Sequence, residues 1–135
     1  MTEDQVPSPF DKAQLGPIRL RNRFIKSATF EGRSPRRVPT DELIEVRRAV
    51  AAGGVAMAAV ACCAVSLEGT TDGRSVVLGH DAEDGLARLA DAVHAEGAAV
   101  SAQSGHAGPV SDPTRTHKRV LTPSRMISPL GFRPT

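Results

Sequence analysis

Gly53-Gly54-Val55-Ala56-Met57-Ala58-Ala59-Val60-Ala61-Cys62-Cys63-Ala64-Val65 is the most apolar stretch of the chain. Residues 55–60 show no alternation of apolar and polar side chains, which suits a strand covered on both faces, as in parallel sheets. The run through Val65 is about half of the ~20 residues that cross a bilayer, so it reads as a buried strand and not as a membrane span. The glycine pair in front of it is a helix stop.

Upstream, Thr40 is placed to cap a helix, with Asp41 and Glu42 in the first turn where the helix dipole favours anions. Leu43, Val46 and Val50 fall on one helical face, and Arg47 and Arg48 lie towards the other end. Downstream, residues 66–79 form a long loop rich in Gly and Thr. Leu86, Leu89, Ala90 and Val93 then mark a second amphipathic helix, ended by Gly97, and residues 98–102 form a further buried strand. Before the first helix, Phe-Ile-Lys-Ser-Ala-Thr at 24–29 reads as a strand. Residues 17–23, alternating around Ile18 and Leu20, read as a shorter, half-exposed one, and residues 33–39, with two prolines and three arginines, as a surface loop. The order strand, helix, strand, helix, strand implies two βαβ units and a parallel sheet.

Composition narrows the function. A net charge of +2 does not by itself imply nucleic acid. The basic cluster Arg115-Thr116-His117-Lys118-Arg119 lacks interleaved aromatics and reads as a solvated loop. No G-x-G-x-x-G follows the first strand and no Walker sequence is present, which argues against a dinucleotide fold of the usual kind. His80, His94, His106 and His117 lack the i, i+4 spacing of a helical metal pair, and the cysteine pair has no second half, so no metal site is expected. A bridge between adjacent Cys62 and Cys63 would be strained, since neighbouring strand residues face opposite ways. A reduced, cytoplasmic protein is expected. Residues 1–9 are polar and read as a flexible tail without a targeting segment.

Chemistry is expected where strands end. Gln103-Ser104-Gly105-His106-Ala107-Gly108 follows the third buried strand directly. On spacing alone Gln103 is either a donor and acceptor for a planar heterocycle or an amide satisfied within a turn. Ser27-Ala28-Thr29-Phe30 and Cys62-Cys63 occupy the same place after the first and second strands. Their small side chains would admit a flat ring close to the backbone, or are simply tight packing.

Three segments together resemble the Old Yellow Enzyme family, also called the NADH:flavin oxidoreductase family. They are Pro9-Phe10 with Leu15 through Phe24 around Asn22-Arg23, then Gly53-Gly54-Val55 through Ser66, then His94-Ala95-Glu96-Gly97-Ala98 through Gln103 and His106-Ala107-Gly108. Ala28-Thr29-Phe30-Glu31-Gly32 looks like a branch distinct from the best-known ene-reductases. The resemblance implies an α/β fold that is an incomplete (β/α)8 TIM barrel, about the first three βα units with an N-terminal capping hairpin. It implies an FMN cofactor contacted by Ser27, Ala28, Thr29 and Phe30, by Cys62 and by Gln103, the last at the flavin's pyrimidine edge. Hydride would pass from NAD(P)H through FMN to an activated alkene or similar small-molecule acceptor.

Several positions depart from the family. Ala28 stands where many members have Pro, and Phe30 where they have a Thr or Cys near the reactive flavin edge. Ser104-Gly105 replaces a larger apolar pair, and Pro109 a common Arg. A (β/α)8 barrel takes about 250 residues, and the family's substrate-binding pair and phosphate loops have no counterpart here. The expected organisation is a tail at 1–9, a partial FMN-binding barrel at 10–109 and an irregular basic tail at 110–135. The expected function is the N-terminal portion of an FMN-dependent NAD(P)H oxidoreductase, inactive as an isolated chain. Its partner would be the remainder of the barrel if separately encoded, with no nucleic acid or membrane. The alternative is a non-catalytic truncated remnant that persists by associating through exposed strand edges, with itself or another protein.

Overall fold

The computed structural model describes residues 6–111 and 117–127. An antiparallel hairpin opens the fold, β1 (Ala13–Leu15) and β2 (Ile18–Leu20), with Leu15 opposite Ile18. Then come β3 (Ile25–Thr29), α1 (Asp41–Ala52), β4 (Met57–Ala64), β5 (Val76–Val77), α2 (His80–Ala95) and β6 (Ala99–Gly105), followed by a single 3₁₀ turn at Gly108–Val110. The expected hairpin and the alternation of strands with helices are both present. β3, β4 and β6 run parallel, with β4 between the other two.

Two elements differ from the sequence reading. The third strand is not buried as expected, since Ala99 and Val100 are half-buried and Ser101 through Gly105 exposed, and it does not stop at residue 102, because its ladder continues through Cys63 opposite Ser104 and Ala64 opposite Gly105. Residues 66–79 are not wholly loop, since Val76 and Val77 pair with Cys63 and Ala64 as β5. Two residues are too few to leave a periodic signal. Residues 1–5, 115 and 116 lie outside the described residues, while 6–9 and 117–119 are exposed. Among the described residues no helix is long and apolar enough to cross a membrane.

The helices form where their caps direct. Thr40 Oγ1 accepts the Leu43 N–H at 3.3 Å, a contact worth about 1 kcal/mol. Gly54 (φ +102°) and Gly97 (φ +73°) take the left-handed conformation just past the two helix ends, which side chains with a Cβ disfavour. Leu43 and Ala51 of α1 join Ala82, Leu89 and Val93 of α2 against Val60, Cys63 and Val76 in one core. One side chain breaks this apolar pattern. Arg47, read from the sequence only as a residue towards the far end of α1, is fully buried. Its Nη2 lies 2.5 Å from Glu31 Oε2 and donates to the Thr29 carbonyl at 3.3 Å. A buried charge persists only with such compensation.

At the N-terminal rim of the sheet the hairpin forms a lid. Leu20 packs on Ala56 and Met57, flanked by Ala13 and Ala99. Arg21 then binds both helix ends at once. It donates to the Ala51 carbonyl in the last turn of α1, to the Val55 carbonyl in the link to β4 and to the Glu96 carbonyl just past α2, at 2.5 to 3.1 Å. The Ala51 and Glu96 carbonyls lie at the negative ends of the two helix dipoles, so a cation suits them. Asn22 adds Nδ2 to the Gly54 carbonyl at 2.7 Å and accepts the Phe24 N–H at 3.0 Å. The motif residues Arg21 and Asn22 are therefore fasteners of the lid, and the opposite rim is where the sheet stays open.

Candidate functional site

Both irregularities of the sheet fall at its C-terminal rim. Lys26 to Thr29 on β3 spans the same ladder distance as Ala58 to Val60 on β4, one extra residue in β3. Val60 to Cys63 on β4 matches Ala102 to Ser104 on β6, one extra residue in β4. Such bulges bend a strand and redirect its side chains, and they recur beside active sites. Here they lie at Ser27-Ala28 and at Ala61-Cys62, within two of the segments singled out from the sequence.

A cavity of about 240 Å³ opens at the ends of β4 and β6, bordered by Cys62, Cys63, Thr70, Ser75, Gln103 and His106 among others. Cys62 is half-buried and Gln103 exposed. Of the six positions expected to contact a cofactor, these two share the cavity. Ser27, Ala28, Thr29 and Phe30 do not border it, because β3 lies on the far side of β4 from β6. Ser27, Thr29 and Phe30 are exposed and Ala28 is half-buried. The β3 end is nonetheless well held. Lys26 Nζ donates to the Ser27 carbonyl at 2.8 Å and to Thr29 Oγ1 at 2.7 Å, while Arg47 holds the Thr29 carbonyl from behind.

The cavity wall is a loop tied to a turn. Val65 N–H donates to the Gly105 carbonyl at 3.0 Å and Ala107 N–H to the Gly69 carbonyl at 2.9 Å. Gly69 is required by this approach, since a Cβ there would lie 2.5 Å from His106 Cδ2. Ser75 is 1% exposed, and its Oγ has no hydrogen-bond partner among the described residues. Thr70 and Ser75 were not legible as site residues in the sequence. The Gly- and Thr-rich composition of residues 66–79 is the one trace they leave.

Charge is distributed unevenly around the cavity. His106 Nδ1 accepts the Gly108 N–H at 2.9 Å, so in the neutral ring the proton is assigned to Nε2. Nε2 lies 4.0 Å from Glu68 Oε1. The Ser66 hydroxyl first, then Glu68's own backbone and the charges of His106 and Lys118, hold the Glu68 carboxyl below its usual value. Burial first, and then the neighbouring Cys62, push the Cys63 thiol up against the opposing pull of Arg47. Both cysteines are free. No group of three or more His, Cys, Asp or Glu among the described residues could hold a metal ion. The cavity is smaller than the ~300–1,000 Å³ typical of whole-ligand sites, so it suits the edge of a ring or a short side arm.

Comparison with known proteins places this geometry among others. The family model described as NADH:flavin oxidoreductase / NADH oxidase matches residues 9–128. The chain is 49% identical over 129 residues to the 4,4'-dithiodibutanoate disulfide reductase of Rhodococcus erythropolis, covering 96% of this chain and 32% of that protein. It is 37% identical over 121 residues to a metal reductase of Desulforamulus reducens, covering 90% of this chain and 18% of the relative. It thus spans about a third of the first relative's length and less than a fifth of the second's. The structure of morphinone reductase in complex with tetrahydroNAD superimposes with a TM-score of 0.80 at 25% identity, covering 90% of this chain and 34% of that one. A 2-naphthoyl-CoA reductase shares the fold, with a TM-score of 0.83 at 22% identity over 93% of this chain and 22% of the other.

Proposed function

This chain belongs to the NADH:flavin oxidoreductase / NADH oxidase family, and from that premise we propose that it forms the first three βα units of an FMN-dependent (β/α)8 barrel. In this reading the flavin-binding region is residues 10–109, and the basic residues 110–135 follow it. The observation that carries the reading is the meeting of Cys62 and Gln103 at one cavity on the C-terminal rim of adjacent parallel strands, the end of the strands where such folds do chemistry.

The residues present fit one edge of a flavin. An exposed primary amide at Gln103 offers a donor and an acceptor to a pyrimidine, and Ser75 borders the same space. Ser27, Ala28, Thr29, Phe30 and Cys62 would line the ring from the other two strand ends. Phe30 has no hydrogen-bonding atom in its side chain, so it would shape the site by bulk alone. FMN, when bound, supplies the hydride chemistry between NAD(P)H and an acceptor, with the protein setting position and polarity. The disulfide and metal reductases match over the same region yet are named for different acceptors, which favours a shared flavin platform here and acceptor choice elsewhere, an activated alkene being one class. The free cysteines favour the cytoplasm.

Titration of FMN by fluorescence quenching tests the reading, with the chain alone and with the remaining barrel strands of a relative supplied in trans. Tight binding is expected only with both pieces, and Gln103→Ala should weaken it about tenfold, one hydrogen bond's worth. Binding that ignores Gln103→Ala, or none with the complement present, would overturn it. A second reading has its own observation. β3 and β6 pair only with β4 among the described residues, and such unpaired edges invite association. A flavin-free oligomer in sedimentation would favour a non-catalytic, edge-paired protein.

A further inference from the structure

His106 stands in the wall between two spaces. It borders the cavity of about 240 Å³ and, with the turn that follows it, a wider crevice of about 570 Å³ that residues 121–123 border from the other side. Its two ring nitrogens meet opposite kinds of group. Nδ1 accepts the Gly108 N–H at 2.9 Å, and Nε2 lies 4.0 Å from Glu68 Oε1. Gly108 is buried, takes φ +55° and opens the 3₁₀ turn Gly108–Val110, which the Ser111 N–H fastens to the Gly108 carbonyl at 3.0 Å. The ring is pressed against Gly69, where a Cβ would lie 2.5 Å from His106 Cδ2, so it cannot swing away without displacing the loop.

We propose that His106 is a proton-operated clasp: the neutral ring holds the Gly108–Val110 turn closed, and the imidazolium releases it. An imidazolium carries a hydrogen on both nitrogens. Its Nδ1–H meets the Gly108 N–H donor against donor, and a buried N–H left without an acceptor is costly. Its Nε2–H meanwhile gains a charge-assisted attraction to Glu68. The ring stays with the loop and the turn is let go. Gly108 has room to give, since nothing lies within 4 Å of the place a Cβ would take. Glu68, from the loop after β4, is the carboxylate facing the ring; the Ser66 hydroxyl first, and then its own backbone, hold it below its usual value, so it is ionised where imidazoles titrate. Lys118, from the segment beyond the turn, also acts on Glu68 and tempers its pull. β4 presents the thiols of Cys62 and Cys63 to the cavity, and β6 the uncharged amide of Gln103. Acidification therefore loosens the wall between cavity and crevice, while the Ala107 N–H stays on the Gly69 carbonyl at 2.9 Å.

This inference does not rest on the flavin reading, and the flavin-free chain tests it. Amide exchange is followed by NMR at about pH 8 and about pH 5, the range across which imidazoles change charge. Each rate is scaled to its unfolded-chain value, which removes the intrinsic pH dependence, and the His106 ring nitrogens report protonation in the same samples. Protection of Gly108 is expected to fall at least about tenfold on acidification, the effect of losing one hydrogen bond, with Ala107 and the amides of α1 and α2 unchanged. His106→Asn keeps an acceptor two residues before Gly108 without a titrating ring, and should hold the turn equally at both pH values. Glu68→Gln should move the release to lower pH, because the imidazolium loses its nearby anion. A Gly108 amide that is unprotected at the higher pH, or still fully protected beside a protonated ring, would overturn the clasp. So would a ring that stays neutral at the lower pH, or a pH-dependent fall that survives in folded His106→Asn.

Discussion

Two arginines are drawn into this fold at opposite parts of the same sheet, and they are treated differently. Arg21, at the lidded N-terminal rim, finds only backbone carbonyls among the described residues, those of Ala51, Val55 and Glu96 at and just beyond the ends of α1 and α2. Among the described residues it holds no carboxylate, and it serves as a shared cap. Arg47, behind the C-terminal end of β3, is fully buried and has one carboxylate, Glu31, and one carbonyl, Thr29. Its Nε and Nη1 have no hydrogen-bond partner among the described residues. Unsatisfied donors on a buried cation cost stability that a cap does not. The lidded rim is thus built for cohesion, while the open rim keeps bulges, an orphan hydroxyl and a half-compensated charge beside its candidate site.

That contrast can be broken by mutation. The largest effect is expected for Glu31→Ala, which strips a fully buried guanidinium of its counter-ion. Loss of about 3–5 kcal/mol is expected, read as a lower urea midpoint at unchanged slope. Adding Arg47→Met should recover most of it; failure to recover would show that Glu31 acts through something other than Arg47. Arg21→Met comes next, at about 3 kcal/mol for the loss of charge-assisted bonds to two helix ends, with faster hydrogen exchange at the last turns of both α1 and α2. Exchange confined to one helix would deny the shared cap.

The smallest effect is a slope with pH. The folded chain holds the Cys63 proton above the ordinary value of 9.0, whereas the unfolded chain releases it there. Between those two points the unfolded state binds fewer protons, so stability falls as pH rises past 9.0. Below that value the term is constant. Cys63→Ala should flatten the alkaline limb of a thermal-midpoint profile; an equally steep limb would mean that another group titrates there.

The sequence determined the elements. The Thr40 cap, the glycine stops at 54 and 97 and the unbroken apolar run before Cys62 are local signals, read within a few residues of where they act. The order they impose allowed the parallel sheet to be anticipated, and the three quoted segments carried the family. Only the tertiary structure decided which candidates meet. Cys62, Ser75 and Gln103 come from separate segments of the chain and reach one cavity because of strand register, two bulges and a loop strapped to the next turn. The same register leaves Ser27 through Phe30 on the far side of β4. The burial of Arg47 was equally invisible, since helical periodicity assigns a face to a residue but does not say that a glutamate 16 positions away will meet it there. Local patterning follows from backbone geometry, whereas convergence depends on pairings across the chain.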